Sequence, residues 1–147
     1  MALIKKSQYS DLIKFAEFDS QDHVEEFFSY KSLQVHQKDF LSEDIAYLSI
    51  VDVFGGVVGY FILQLAIDEK TVQFKRILVD DEHLGIGQDA ISSMESYCKI
   101  FFGTNRIWLD VYKENRKAKH IYEKLGYIKF KEVTDFNKTI LFYEKHL

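Results

Sequence analysis

An α/β domain of the α+β type, with a mixed, mostly antiparallel sheet of six to seven strands and about four helices, is what this chain predicts. Three observations lead there. Strand-like runs at Ile45–Phe54, Val57–Ala66 and Thr71–Val79 follow one another across turns too short to hold a crossover helix, so they pair antiparallel. Val72–Gly87, VQFKRILVDDEHLGIG, passes from a strand through a polar turn to Gly85-Ile86-Gly87. Apolar side chains then recur at Ala90, Ile91, Met94, Tyr97, Cys98 and Phe101, the spacing of a half-buried helix.

The remaining elements follow in order. Leu3–Lys6 is a short strand, and helices are expected over Ser10–Ala16 and Gln21–Tyr30, the second with Val24, Phe27 and Phe28 on one face. Lys31–Glu43 has no clear period. Gly55-Gly56 reads as a tight hairpin turn and Asp68-Glu69-Lys70 as another. After the long helix come a strand at Arg106–Val111, a helix at Asn115–Leu125 and closing strands at Tyr127–Val133 and Thr139–Lys145. Antiparallel strands first and crossover helices later define the α/β order.

Composition bounds the function. The 147 residues show no composition break and read as one domain over 1–147, with 47% hydrophobic residues to fill a core. A net charge of −4 argues for no nucleic acid partner, because phosphate contacts need clustered Lys and Arg. No apolar run reaches the ~20 residues of a membrane span, so no membrane association is expected. The start, MALIKKSQYS, lacks the apolar core of a secretory signal. Cys98 stands alone, so no internal disulfide forms and a cytoplasmic location is expected.

The Val72–Gly87 segment carries the first chemical expectation. A strand that feeds a glycine-bearing turn and a helix start presents unpaired N–H groups at the positive end of a dipole. That arrangement binds phosphate without basic side chains. Glycines that merely ease the turn are the plain alternative. GIGQDA also satisfies the G-x-G-x-x-A of a dinucleotide site, with Asp110 about twenty residues on. Against that stand the five residues Asp80–Leu84 between strand and glycine, and the short chain left after Asp110.

NRKAKHIYEKLGYIKF, Asn115–Phe130, resembles the motif that closes the acetyl-CoA site in the GNAT superfamily of N-acetyltransferases. Asn115, Ala118, Tyr122, Glu123, Lys124, Leu125, Gly126 and Tyr127 match it one by one. Upstream, Val79, Gly85 and Gly87 fall in register with the same family's pyrophosphate motif. The resemblance covers residues 45–133 and implies a GNAT-like fold, with acetyl-CoA as co-substrate and transfer of an acetyl group to a primary amine of a small molecule or peptide by direct attack on the thioester. It places the coenzyme against Ile77, Leu78, Val79, Leu84, Gly85, Ile86, Gly87, Gln88, Asp89, Asn115 and Ala118. Lys119, with Arg116 and Lys117, either faces the ribose phosphate or forms an ordinary solvated basic face. Three residues depart from the pattern. Leu84 replaces a Gln or Arg, Asp89 a small residue, and Gln73 a Glu that often serves as general base. They keep open a non-catalytic acyl-CoA-binding or protein-interaction domain.

Amide formation needs a neutral amine, an oxyanion donor and help for the thiolate. The resemblance assigns the donor to β-strand amides around Ile77–Val79. Tyr122 aligns with the family's tyrosine, although with Ala118, Ile121 and Leu125 it also lies on the apolar face of a short helix. Asp110, twelve residues before Tyr122, aligns with a basic Glu of N-terminal acetyltransferases; a strand-end carboxylate bound to a turn amide is the alternative. Glu69 and His83 are weaker candidates for the base. Asn115 suits a helix N-cap as well as a coenzyme contact. Cys98 reads as a buried inert thiol, and the five histidines show no ligand spacing, so no metal is expected. Glu17, Asp19, Asp22, Glu25 and Glu26 form an acidic run without Lys or Arg, which suits a cationic acceptor or is simply a solvated helix face. A homodimer is left open.

Overall fold

The computed structural model describes residues 2–21 and 31–147, so the helix expected over Gln21–Tyr30 lies outside the described residues apart from Gln21 itself. Among the described residues seven strands form one sheet: β1 (Leu3–Lys6), β2 (Ile45–Val51), β3 (Val57–Ala66), β4 (Thr71–Val79), β5 (Arg106–Tyr112), β6 (Ile128–Asp135) and β7 (Lys138–His146). Their spatial order is β1-β2-β3-β4-β5-β7-β6. Every neighbouring pair is antiparallel except β4 and β5. Among the described residues the helices are α1 (Leu12–Asp19), α2 (Leu33–Phe40), α3 (Gly87–Phe102) and α4 (Arg116–Lys124). The fold is the mixed, mostly antiparallel α/β arrangement that the short turns before Val79 predict.

The two faces of the sheet bury different clusters. On one, Phe61, Leu63, Val72, Phe74, Ile107 and Leu109 pack against Ala90, Ile91, Met94 and Cys98 of α3. On the other, Tyr47, Tyr60, Ile62 and Leu78 pack against Leu12, Phe15 and Phe18 of α1. Fully buried side chains such as Phe15, Phe61 and Leu63 contribute about 1.5–3 kcal/mol each by leaving water. Gly59 is the close-approach point: a Cβ there would sit 2.4 Å from the Leu78 carbonyl oxygen. Only glycine lets β3 pass this near the end of β4.

Two local expectations change. The β2–β3 turn is Asp52–Gly56 rather than Gly55-Gly56. Asp52 Oδ1 accepts from the amides of Phe54 and Gly56, both at 2.9 Å, which ends β2 at Val51. Lys31–Glu43, without a clear period, contains α2, started by Ser32, whose side chain accepts from the Val35 amide at 3.3 Å.

Candidate active site

The site opens where β4 and β5 part. Their parallel ladder covers only Thr71–Gln73 against Arg106–Trp108, so among the described residues β4 beyond Gln73 continues without a ladder to β5. β4 also carries a bulge, because Ile62 pairs with Arg76 and Leu63 with Phe74, leaving Lys75 out of the β3 ladder. A parallel crossover through α3 brings the starts of α3 and α4 to the same end of the sheet, beyond the C-terminal ends of β4 and β5. The resulting cavity, about 920 Å³, runs from the Phe74–Val79 backbone past Gly85 and Gly87 to Asp110, Tyr112, Asn115 and Tyr122.

One end of the cavity is lined by Gly85, Gly87 and Gln88. The 3-10 turn Asp81–Ile86 leads into α3, whose N-cap Ile86 offers no side-chain hydrogen bond to the first turn. The orphan amides there remain available to an anion. A Cβ built on Gly85 or Gly87 meets nothing within 4 Å, and neither has a positive φ. These glycines therefore leave space rather than satisfy a strained turn. Asp89 is exposed and borders a separate hollow of about 190 Å³ with Ala2, Val51 and His83, so its carboxylate does not line the cavity.

The Asn115–Tyr127 motif resolves into distinct physical tasks. Asn115 caps α4, accepting from the Ala118 amide at 3.2 Å, and also lines the cavity. Tyr122 lines the cavity with its ring edge-on to Phe74, centroids 5.8 Å apart. Its hydroxyl makes no hydrogen bond among the described residues. Burial, reinforced by the Asp110 charge, pushes its phenol up to about 12. Glu123 accepts from Tyr143 at 2.8 Å, tying α4 to β7. Gly126, at φ +97°, ends the helix in the left-handed region, and Tyr127 then donates to buried Glu95 at 2.8 Å.

Asp110 sits mid-strand on β5, exposed at the cavity's wall, and not at a strand end. The surrounding walls displace water and raise its carboxyl above the usual carboxylate value, while the Lys75 ammonium and a backbone hydrogen bond oppose that shift. Gln73 occupies the last ladder position, opposite Trp108, and is not among the lining residues. Glu69, in the turn before β4, does not line the cavity, and His83 borders the smaller hollow.

Of the expected coenzyme residues, Ile77, Leu78, Val79, Gly85, Gly87, Gln88, Asn115 and Ala118 line the cavity. Ile86, Asp89 and Lys119 do not, and nothing is described of the Leu84 side chain; of the α4 lysines, Lys117 lines it. Lining residues that the sequence did not single out are Phe74, Lys75, Arg76, Val111, Tyr112 and Ile140. The β4 bulge, which has no composition signal, is what brings Lys75 into the lining.

The acidic run divides. Asp22, Glu25 and Glu26 lie outside the described residues, and Glu17 is exposed. Asp19 is neither a solvated face nor part of the cavity: it is 2% exposed inside a polar network. Its carboxylate accepts from His36 Nε2 at 2.7 Å and from the Tyr60 hydroxyl, with Arg76 Nη1 at 3.4 Å. His36 Nδ1 meets the Tyr47 hydroxyl at 2.7 Å. Burial, followed by the Asp19 charge, raises the Tyr60 phenol and keeps it a donor. Phe15 stacks on Tyr60 at 4.4 Å and closes the network from water. Cys98 is fully buried, its thiol pushed up to about 12 by burial and then Glu95, which fits an inert core residue. Among the described residues no His, Cys, Asp and Glu cluster could hold a metal, and no helix is long and apolar enough to cross a membrane.

A split sheet with a coenzyme-sized cleft, a strand wall beyond the end of the β4–β5 ladder and a helix start without a side-chain cap at its end defines the class of acyl-CoA-dependent transferases. The sequence matches the acetyltransferase (GNAT) family over residues 10–127, and the chain belongs to that family. It is an N-acetyltransferase with acetyl-CoA as co-substrate. Among solved structures it is similar to an aminoglycoside acetyltransferase in complex with coenzyme A and kanamycin, at 16% identity and TM-score 0.84, covering 99% of this chain and 95% of that one. It is also similar to spermidine N-acetyltransferase from Vibrio cholerae in complex with CoA and spermine, at 16% identity and TM-score 0.83, with the same coverages. A dodecameric form of the Vibrio cholerae enzyme gives 17% identity and TM-score 0.76, covering 99% of this chain and 93% of that one. No curated protein matches the chain.

Proposed function

We propose that the chain acetylates a primary amine of a small molecule or peptide through a ternary complex, with Asp110 relaying the amine's proton and Tyr122 supporting the departing thiolate. The carrying observation is the parting of β4 from β5 beyond Gln73, which leaves strand amides unladdered beside both residues. Pantetheine pairs with Ile77–Val79 as an added strand. The diphosphate rests on the amides of residues 84–89, with Asn115 and Ala118 beside it. Lys119, Arg116 and Lys117 face the ribose phosphate.

The amine arrives as an ammonium, with an ordinary pKa near ~10.4, and Asp110 attracts it. Its proton passes to Asp110, through a bridging water where the shorter Asp side chain falls short. The neutral nitrogen then attacks the thioester carbonyl carbon. The oxyanion is held by a β4 amide, where a preorganised donor contributes about 2.7–4 kcal/mol. Collapse breaks the C–S bond, the nitrogen's second proton passes to the departing thiolate to give the CoA thiol, and Asp110 releases the first to solvent. Tyr122, at about 12, is a poor acid toward a thiol near ~8.5: full transfer is uphill by about 5 kcal/mol. It serves instead as a hydrogen-bond donor to the sulfur.

Those two neighbours, solved with spermine and with kanamycin, support an acceptor that arrives as an ammonium. A reducing cytoplasm suits the buried lone Cys98. β6, an edge strand exposed along its length with Ile128 and Phe130 at its surface, is the natural seam for a homodimer. Release of free CoA thiol from acetyl-CoA in the presence of an amine panel tests the reading. Amine-dependent release is expected. Saturable CoA binding without release from any amine would leave only the non-catalytic acyl-CoA-binding role.

A further inference from the structure

Among the described residues, four charged side chains line the cavity: Lys75, Arg76, Lys117 and Asp110. Two of the cations have other work. Arg76 is 6% exposed and reaches Asp19 and the Tyr60 hydroxyl. Lys117 stands in the first turn of α4 beside Asn115, at the end of the cavity that holds Gly85 and Gly87. Lys75 is different. It is the bulge residue of β4, exposed, and it forms no ion pair among the described residues.

Its position follows from the ladder. Gln73 and Trp108 are the last paired residues of β4 and β5. Lys75 and Asp110 each lie two residues further on, so an ammonium and a carboxylate stand on opposite walls of the opening at the same level. Asp110 senses the Lys75 charge, as does Asp44 on the β2 side, and neither carboxylate closes into an ion pair with it among the described residues. Tyr112 and Ile140 line the same opening and supply apolar surface next to the charges.

We propose that the acceptor is dipolar: an amino acid or short peptide whose amine is delivered to Asp110 while its carboxylate is bound by Lys75. This rests on the transfer reading above and narrows it, because a cation lacking a carboxylate meets Lys75 as a like charge at the acceptor end. A carboxylate-bearing amine satisfies both walls at once, and fixing two groups also orients the nitrogen toward the thioester.

The test compares the common amino acids and their dipeptides with the matching C-terminal amides, which delete the negative charge and little else. Amides have the less basic amine, so ionisation of the amine works against the expected preference. Transfer is followed by thiol release, and binding to the CoA-loaded protein by calorimetry. At least one acid is expected to exceed its amide by 10-fold or more in kcat/KM. Lys75→Gln should erase that ratio mainly through KM, and Lys75→Glu should invert it. Acids and amides accepted equally, amides preferred, or a ratio untouched by Lys75→Gln would overturn the dipolar acceptor while leaving transfer standing. Carboxylate-dependent binding without turnover would uphold Lys75's role and remove the transfer reading instead. Binding of none of these compounds would overturn the dipolar acceptor outright.

Discussion

Gly87→Ala separates folding from coenzyme binding. Gly87 opens α3, has no positive φ, and a Cβ there meets nothing within 4 Å. The fold should therefore accept alanine, and the lower chain entropy of the unfolded variant should stabilise it by about 0.4–1 kcal/mol. The same methyl enters the space over the uncapped amides. Losing one charge-assisted hydrogen bond to a phosphate oxygen costs about 1.5–3 kcal/mol, which is roughly 10- to 150-fold in Kd. Thermal unfolding of the free protein and calorimetric titration with CoA read the two effects independently. A Tm that holds or rises with a weakened Kd is expected. Undiminished CoA affinity in this variant would show that the α3 start does not hold the diphosphate.

Three further outcomes are expected. Tyr122→Phe should lower kcat by about 10- to 100-fold, the value of one hydrogen bond to a charged sulfur, in single-turnover thiol release. Its stability should change little, since the hydroxyl has no partner among the described residues. Asp110→Asn should lower kcat/KM for amines and abolish the acid limb of its pH profile. The Asp110 carboxyl is raised in the folded protein, so its contribution to stability is complete below the unfolded pKa and is lost as pH rises through the folded one. At pH 7 the Asn variant should accordingly unfold at a higher temperature than the parent, and a lower Tm would count against a desolvated carboxylate. Asp19→Asn leaves Arg76 without its buried counter-charge and should cost about 3–5 kcal/mol, a Tm drop on the order of 10 °C by calorimetry.

Local patterns were legible in the sequence, and long-range partnerships were not. Val57–Ala66 and Thr71–Val79 are the observed bounds of β3 and β4, because turn residues bracket each apolar run. The β2–β3 turn was misread because Gly55-Gly56 looks sufficient for a hairpin, whereas the Asp52 carboxylate draws two more amides into the turn. Gly85, Gly87, Asn115 and Tyr122 stood out since their spacing serves a backbone-built site. Lys75 did not, because a bulge arises from register between two strands and leaves no mark on either alone. Asp19 looked like a member of an acidic face because His36, Tyr60 and Arg76, distant in sequence, neutralise it only after folding. Lys117 and Lys119 are indistinguishable by composition, and only the cap at Asn115 sets which of them faces the opening.

Amide hydrogen exchange with and without saturating acetyl-CoA addresses the binding mode directly. Slowed exchange should fall on two separate segments, Ile77–Val79 where pantetheine completes the strand and Gly85–Asp89 where the diphosphate sits, with the β2–β3 hairpin unaffected. Exchange that stays unchanged in both segments while the coenzyme binds would mean that the backbone of this cleft is not what grips it.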